Sequence, residues 1–196
     1  KAISHNASHV KALNNLAIIL LNEQKTEEAV SLFRKVIKLK PDFVIAHNNL
    51  GSALHSIGKI REAISHYRTS IKLNPNYAEA QASLGRALMK TGNAREAMSH
   101  YRISIKLKPE HARTYYNLGN ALLSIKKTAE AITHYKMAIK LNPDSFEAYN
   151  NLGNALVTEG KNEEAISHFK IAIKLKPNSA AAHNNLKLAI SKLEKQ

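Results

Sequence analysis

Residues 44–77 read VIAHNNLGSALHSIGKIREAISHYRTSIKLNPNY, and this stretch contains two helical patterns separated by a glycine. Apolar residues between Ala46 and Leu54 recur at the spacing of one helix face, and Gly58 then interrupts the pattern. A second apolar face follows and ends before Pro75, whose ring cannot continue a helix. The stretch therefore predicts a hairpin of two helices.

The same pattern recurs along the chain with a period of 34 residues. The recurring residues are Pro41, Pro75, Pro109, Pro143 and Pro177; Gly51, Gly85, Gly119 and Gly153; and Phe33, Tyr67, Tyr101, Tyr135 and Phe169. Self-similarity at such a period is typical of a stacked helical array. We predict five repeats, at residues 10–43, 44–77, 78–111, 112–145 and 146–179.

Two flanking segments complete the predicted array. Residues 1–9 match the tail of a second helix, so we expect a remnant of a preceding repeat, with more repeats upstream. Residues 180–196 predict a capping helix with Leu186 and Ile190 on one side and Lys187 where a packing glycine would stand. The truncated start leaves helix surface through which the chain could form oligomers.

The repeated residues resemble the tetratricopeptide repeat, whose pattern is a small-residue pair and Leu in helix A, Ala and an aromatic residue in helix B, and then Pro. This resemblance implies an all-α fold, a right-handed α-solenoid of antiparallel helix pairs with the A helices on the concave side. Leu13, His47 and Gln81 depart from the aromatic residue that the family often has early in helix A, so we expect looser packing there. Gln24 and Lys126 replace the glycine that connects the helices, which predicts altered turns.

Asparagines recur on helix A beside the repeated leucine. The candidate peptide-binding residues are Asn15, Asn49, Asn117, Asn151 and Asn185, their neighbours Asn48 and Asn150, and Asn120 and Asn154 one turn later. A row of amides could pair with successive peptide groups of an extended chain. The row is similar to that of the superhelical repeat region of O-GlcNAc transferases, and this resemblance implies that the amides would grip a peptide by its backbone. The alternative is that these amides bond to neighbouring repeats and hold the array together.

The chain is strongly basic, with 29 Lys and Arg against 15 Asp and Glu and a formal charge of +14. Many cations fall on helix B at two positions one turn apart, which predicts a basic ridge with few acidic residues to offset it. These cations are Arg34, Arg68, Arg102, Lys136 and Lys170, with Lys38, Lys72, Lys106, Lys140 and Lys174. A solvated face is the favoured interpretation. The alternative is a docking surface for nucleic acid, anionic membrane or an acidic partner.

The residue types of the chain narrow the kinds of partner that it is expected to bind. Aromatic residues are sparse and occupy core positions, so nucleic acid is not the expected ligand. No helix A carries the Lys and Arg pair with which chaperone-binding members of the family clamp a carboxylate. We therefore expect a protein or peptide partner, an acidic one being an option. A spacer or oligomerisation module of a larger upstream enzyme is a further alternative.

The sequence contains no candidate set of catalytic or metal-binding residues. His66, His100, His134 and His168 each follow a glutamate by four residues. One such pair per repeat would stand about 8–10 Å from the next, too far to close a tetrahedral metal site. Cysteine is absent, which leaves the redox compartment open, and a cytoplasmic location is the working expectation. No apolar run approaches the roughly 20 residues of a membrane span. We expect a non-catalytic scaffold without a metal or cofactor.

Overall fold

The computed structural model describes residues 2–195, and the side chains of residues 9–195. Within these residues the chain forms eleven helices and no strand. The helices are α1 (Ala2–Asn22), α2 (Thr26–Leu39), α3 (Val44–Ser56), α4 (Ile60–Leu73), α5 (Ala78–Lys90), α6 (Ala94–Leu107), α7 (Ala112–Ser124), α8 (Thr128–Leu141), α9 (Phe146–Thr158), α10 (Asn162–Leu175) and α11 (Ala180–Leu193). The predicted all-α fold is confirmed. None of these helices is both long and apolar enough to cross a membrane.

The chain divides into two compact units, Lys1–Leu107 (unit 1) and Lys108–Gln196 (unit 2). The A helices are α1, α3 and α5 in unit 1 and α7, α9 and α11 in unit 2; the B helices are α2, α4, α6, α8 and α10. Each B helix packs against the A helix of its own repeat, and within a unit also against the next A helix. This nearest-neighbour packing is that of a helical solenoid.

Hydrogen bonds between α3 and α4 show that the two helices of a repeat are antiparallel. The Ser70 hydroxyl donates to the Val44 carbonyl at 2.9 Å, and the Tyr67 hydroxyl donates to Ser52 Oγ at 3.3 Å. Moving forward along α3 therefore means moving backward along α4. The helix starts at residues 44, 78, 112, 146 and 180 coincide with the boundaries that the prolines predict.

An aromatic ring from helix B fills the core of each repeat and lies against the glycine of helix A. The Tyr101 ring is buried, and a Cβ atom built on Gly85 would lie 2.6 Å from its Cε1 atom. The same clash, at 2.5–2.7 Å, would occur at the other three equivalent glycines. A glycine inside a helix costs about 1 kcal/mol relative to alanine, and this close approach of the ring explains why it recurs.

The turns between the A and B helices keep one geometry despite their sequence differences. Gly58, Gly92 and Gly160 have φ of 76–78°, and Gln24 and Lys126 have φ of 63° and 62°. The expectation that these two substitutions alter the turns is therefore wrong. Gln24 and Lys126 adopt the left-handed backbone conformation because a backbone hydrogen bond closes each turn, such as the bond from Lys127 N to Leu122 O at 2.9 Å.

The two ends of the array differ from the regular repeats. α1 runs without a break from Ala2 to Asn22, so residues 2–9 do not form a separate helix as the predicted remnant would. The reason lies in the sequence, where Ala7 occupies the position of the repeated proline and nothing blocks the helix. Residue 1 lies outside the described residues. At the other end, α11 packs through Ala182 and Ala189 and leaves Ile190 exposed.

We expect Lys126→Gly to raise the free energy of unfolding by about 1 kcal/mol, because a left-handed conformation costs a side chain roughly 1–2 kcal/mol that glycine does not pay. Urea denaturation measures the change. The matched control is Lys59→Gly in the equivalent turn, where φ is −79° and no such strain is relieved. A gain at Lys59 as large as that at Lys126 would contradict the explanation.

Candidate functional site

Polar side chains of the A helices form a partly exposed surface, which we call the A-helix surface. In α3 it carries Asn49 and Ser52, both half-buried. Asn15 of α1 is exposed. Asn48, by contrast, is only 7% exposed, and its Oδ1 atom is buried without a hydrogen-bond partner among the described residues. Asn48 therefore does not reach the surface where the sequence predicted a contact.

Among the described side chains of unit 1, one amide pair links neighbouring A helices. Asn49 Nδ2 on α3 donates to Asn14 Oδ1 on α1 at 3.5 Å, the upper limit of a hydrogen bond. Asn14 is buried, whereas the adjacent Asn15 is exposed. The link in unit 1 is therefore weak.

In unit 2 the amides form a connected network across α7, α9 and α11. Asn151 Nδ2 donates to Asn120 Oδ1 at 3.0 Å and to the Tyr116 hydroxyl oxygen at 3.2 Å. Asn150 Nδ2 donates to Asn151 Oδ1 at 3.4 Å, and Asn185 Nδ2 donates to Asn150 Oδ1 at 3.1 Å. Four of the predicted residues thus hold one another, as the alternative interpretation expects.

A tyrosine hydroxyl connects this network to the core of unit 2. The Tyr135 ring is fully buried, and its hydroxyl donates to Asn120 Oδ1 at 2.7 Å. Burial raises the pKa of Tyr135 above its usual value, which keeps this hydroxyl protonated as the donor. Asn120 is therefore fixed from two sides.

The remaining predicted residues of unit 2 stay open. Asn117 is half-buried and Asn154 is exposed, and within the described part of the chain neither forms a hydrogen bond with another predicted site residue. The Oδ1 atoms of Asn49 and Asn185 likewise accept no bond from the described side chains. The predicted ladder thus contains two populations, amides that bond to one another across repeats and amides that do not.

A cleft of about 400 Å³ lies beside the unit 2 network. Tyr116 forms part of its wall, Ala112 and Ala138 contribute apolar surface, and Arg113 and Glu147 bring opposite charges. Sequence reasoning did not select Tyr116, although it stands at the position of Asn48 and Asn150 immediately before the ladder residue. That break in the asparagine pattern was the available signal.

The histidines of helix B hold the two helices of a repeat together. His47 Nε2 lies 2.9 Å from the Pro41 carbonyl, which can only accept, so His47 Nδ1 is left to accept from His66 Nδ1 at 3.2 Å. Gln81 repeats this arrangement by donating to the Pro75 carbonyl at 3.1 Å and accepting from His100 Nδ1 at 2.7 Å. These contacts fix His47 and Gln81, both buried, where the sequence predicted loose packing.

The burial of the helix B histidines changes their pKa values. Burial is the main reason that the pKa values of His66, His100 and His168 lie below the usual value. In residues 9–195, no group of three or more His, Asp or Glu side chains is placed to hold a metal ion.

The basic ridge of helix B is offset by glutamates of the next repeat. Arg34 and Glu62 lie 2.6 Å apart, and Arg68 and Glu96 lie 3.0 Å apart. In unit 2, the hydrogen bond from Lys136 to Glu164, at 2.7 Å, lowers the pKa of that carboxyl. The expectation that few acidic residues offset the ridge is therefore wrong for these cations. Each pair is exposed and worth at most about 1 kcal/mol.

Comparison with known proteins identifies the repeat. A family model of the TPR repeat matches residues 19–58, 51–92, 85–126, 119–160 and 153–193. The crystal structure of MamA is similar, with 27% identity over 82% of this chain and 94% of that chain, at a TM-score of 0.75. PilF of Pseudomonas aeruginosa has 19% identity, 97% and 93% coverage and a TM-score of 0.84.

YrrB, described as a TPR protein with an unusual peptide-binding site, is also similar in structure. It has 19% identity over 95% of this chain and 96% of that chain, at a TM-score of 0.76. At this identity the likeness of YrrB and PilF concerns the fold alone. No curated protein sequence matches the chain.

The lowered pKa values of the helix B histidines predict that acidification from pH 7 to pH 5 lowers the free energy of unfolding. Because the folded-state pKa values of His66, His100 and His168 are lowered, the unfolded chain binds protons first as the pH falls below about 6.5. The stability is therefore fully present above that pH and is lost below it. Urea denaturation at several pH values measures the slope. His66→Gln should flatten it, and a variant with the wild-type slope would exclude His66 as a cause.

Proposed function

The chain belongs to the tetratricopeptide repeat family, and we propose that it is a non-catalytic scaffold whose A-helix surface binds an extended peptide segment of a partner protein. The observation that carries the proposal is the recurrence of solvent-facing carboxamides on successive A helices. Asn117 and Asn154 supply such groups in unit 2, and Asn15 and Asn49 supply them in unit 1. Each can donate to and accept from a peptide group.

The spacing of the amides suits an extended chain. Packed helices lie about 8–10 Å apart, and a strand rises about 3.3 Å per residue. One A helix therefore corresponds to roughly three residues of an extended peptide. Amides that contact only the backbone would leave most side chains of that peptide unread, so the recognition we propose is broad.

The internally bonded amides have a supporting role in this proposal. Asn151 donates both of its side-chain N–H groups to Tyr116 and Asn120, so it holds α9 against α7 and has no N–H group free to donate to a ligand. Asn185 keeps a free carbonyl oxygen, which could accept a peptide N–H. The cleft beside Tyr116 offers one place where a side chain of the peptide could enter. YrrB, of similar fold, is described as having a peptide-binding site.

The ion pairs weigh against the alternative of a basic docking surface. Arg34, Arg68 and Lys136 are each neutralised by a glutamate of the next repeat. The histidines His66 and His100 are engaged between helices, which supports the non-catalytic part of the proposal. A spacer or oligomerisation module remains the competing function, and it predicts self-association without peptide binding.

Selection from a random dodecamer library displayed on phage provides peptide probes for the test. We expect the double variant Asn117→Ala, Asn154→Ala to bind a selected peptide about tenfold more weakly, because two hydrogen bonds of about 0.5–1.5 kcal/mol are lost. Its melting temperature should stay within about 1 °C of wild type, since neither amide joins the internal network. Fluorescence anisotropy and thermal denaturation measure the two quantities.

Two further variants sharpen this test. Asn178→Ala removes an exposed amide in the turn before α11 and should change neither quantity. Asn151→Ala should lower the melting temperature, because it removes the two hydrogen bonds that link α9 to Tyr116 and Asn120 of α7. Unchanged affinity in the double variant would contradict the proposed role of the open amides, and an absence of enriched peptides would refute peptide binding.

A further inference from the structure

At one position of the A-helix surface, the third repeat carries a different kind of residue from the other repeats. The residue after the core glycine is Ser52 in the second repeat, Asn120 in the fourth and Asn154 in the fifth, but Arg86 in the third. In two of these repeats it accepts from the buried tyrosine of helix B. Tyr67 donates to Ser52 Oγ at 3.3 Å, as Tyr135 does to Asn120 Oδ1 at 2.7 Å.

Arg86 breaks this pairing because a guanidinium has no acceptor. The partner tyrosine in the third repeat is Tyr101, whose side chain is only 1% exposed. No hydrogen bond joins its hydroxyl to a described side chain of unit 1, and its oxygen is not one of the fully buried polar atoms left without a partner. In the fifth repeat the equivalent residue is Phe169, which needs none. The third repeat is therefore the one in which a buried phenol and a cation, both donors, stand at the paired positions.

The Arg86 guanidinium is itself poorly satisfied. It is half-buried, and its bond within the described residues is from Nη2 to Ser83 Oγ, at a long 3.4 Å. No carboxylate of the described residues lies within salt-bridge distance of it. Arg68, on the other face of the same unit, has Glu96 at 3.0 Å. Because a partly desolvated cation without a counter-charge is costly, the contrast points to a ligand.

Lys90 and a histidine lie near Arg86 and respond to or share its positive field. His55 on α3 is half-buried, and after burial itself the charges on Arg86 and Lys90 are what lower its pKa. The Arg86 charge also reaches the Tyr101 hydroxyl, where it opposes the increase in pKa that burial causes. The Arg86 charge thus acts on both His55 and the Tyr101 hydroxyl, and Lys90 adds a second positive charge near His55.

We propose that Arg86 and the Tyr101 hydroxyl form a subsite for an aspartate or glutamate side chain of the bound peptide. One carboxylate oxygen accepts from the guanidinium and the other accepts from the phenol, so both open donors are satisfied. Lys90 adds long-range attraction. This subsite rests on the proposed function, since it takes its carboxylate from a peptide lying along the A-helix surface, near Asn49 and Ser52 of the same unit.

Three variants separate the subsite from the overall positive charge. Arg86→Asn installs the residue that the fourth and fifth repeats carry and offers Tyr101 an acceptor, so it should fold at least as well as wild type. Tyr101→Phe copies the fifth repeat and removes the donor without removing the ring. Lys72→Asn is the matched control, because it deletes the same charge from the exposed side of α4.

The experiment selects peptides from the random dodecamer library on each protein at physiological salt. On wild type and on Lys72→Asn we expect enrichment of Asp or Glu at one position of the aligned peptides, and on Arg86→Asn we expect none. For the best wild-type peptide, replacing that acidic residue by its amide should weaken binding about tenfold on wild type. On Arg86→Asn the same replacement should change binding less than twofold. Tyr101→Phe should bind the acidic peptide several-fold more weakly with an unchanged melting temperature.

The outcomes that overturn the subsite differ from those that overturn the proposed function. Peptides that are enriched without an acidic preference, or with one that survives Arg86→Asn, would remove the subsite and leave peptide binding intact. An acidic preference lost equally in Lys72→Asn would assign it to net charge and also remove the subsite. No enrichment over a blank surface on any of the proteins would remove both.

Discussion

The contact between the aromatic ring of helix B and the glycine of helix A sets the geometry on which the other contacts depend. A Cβ atom at Gly119 would lie 2.6 Å from the Tyr135 ring, so the ring and the helix backbone meet without a side chain between them. This approach fixes the distance between the two helices of a repeat. It also lets the ring span the core, so that its buried hydroxyl reaches Asn120 from the core side. The core residue and the candidate site are therefore parts of one contact.

The sequence was enough to predict the helices because a residue with a strong local effect stands at most of their boundaries. The repeated prolines end helix B, and α3, α5, α7, α9 and α11 begin three residues after them. What escaped prediction depends on contacts between different repeats. Glu62 neutralises Arg34 from 28 positions away, and nothing in the local pattern of either helix indicates that pairing. Likewise, the geometry at Lys126 follows from the backbone bond that closes its turn, since lysine has no preference for it.

The asparagines show why a regular pattern left the site undecided. Asn117 and Asn151 stand at the same position of successive repeats, yet Asn151 is held by two acceptors and Asn117 joins none of the predicted site residues. The difference comes from Tyr116 and Asn120, which lie on the preceding A helix and give Asn151 its partners. An amide with both donors and an acceptor binds whatever its neighbours offer. The role of each asparagine was therefore a property of two repeats together, and single positions could not reveal it.

Regularity also raises a problem for a surface that contacts only peptide backbone. If every repeat offers the same amide, a bound strand shifted by one repeat makes the same contacts, and the register is not defined. Defining it requires a repeat that differs from its neighbours in chemistry. Arg86 is such a departure, because it replaces an acceptor by a cation and leaves Tyr101 without its usual partner. In the complex we propose, the repeated amides would supply affinity that tolerates many sequences. A single carboxylate held at Arg86 would then decide which residue of the peptide lies where. Broad binding and a defined register are compatible when they come from different residues of the same surface.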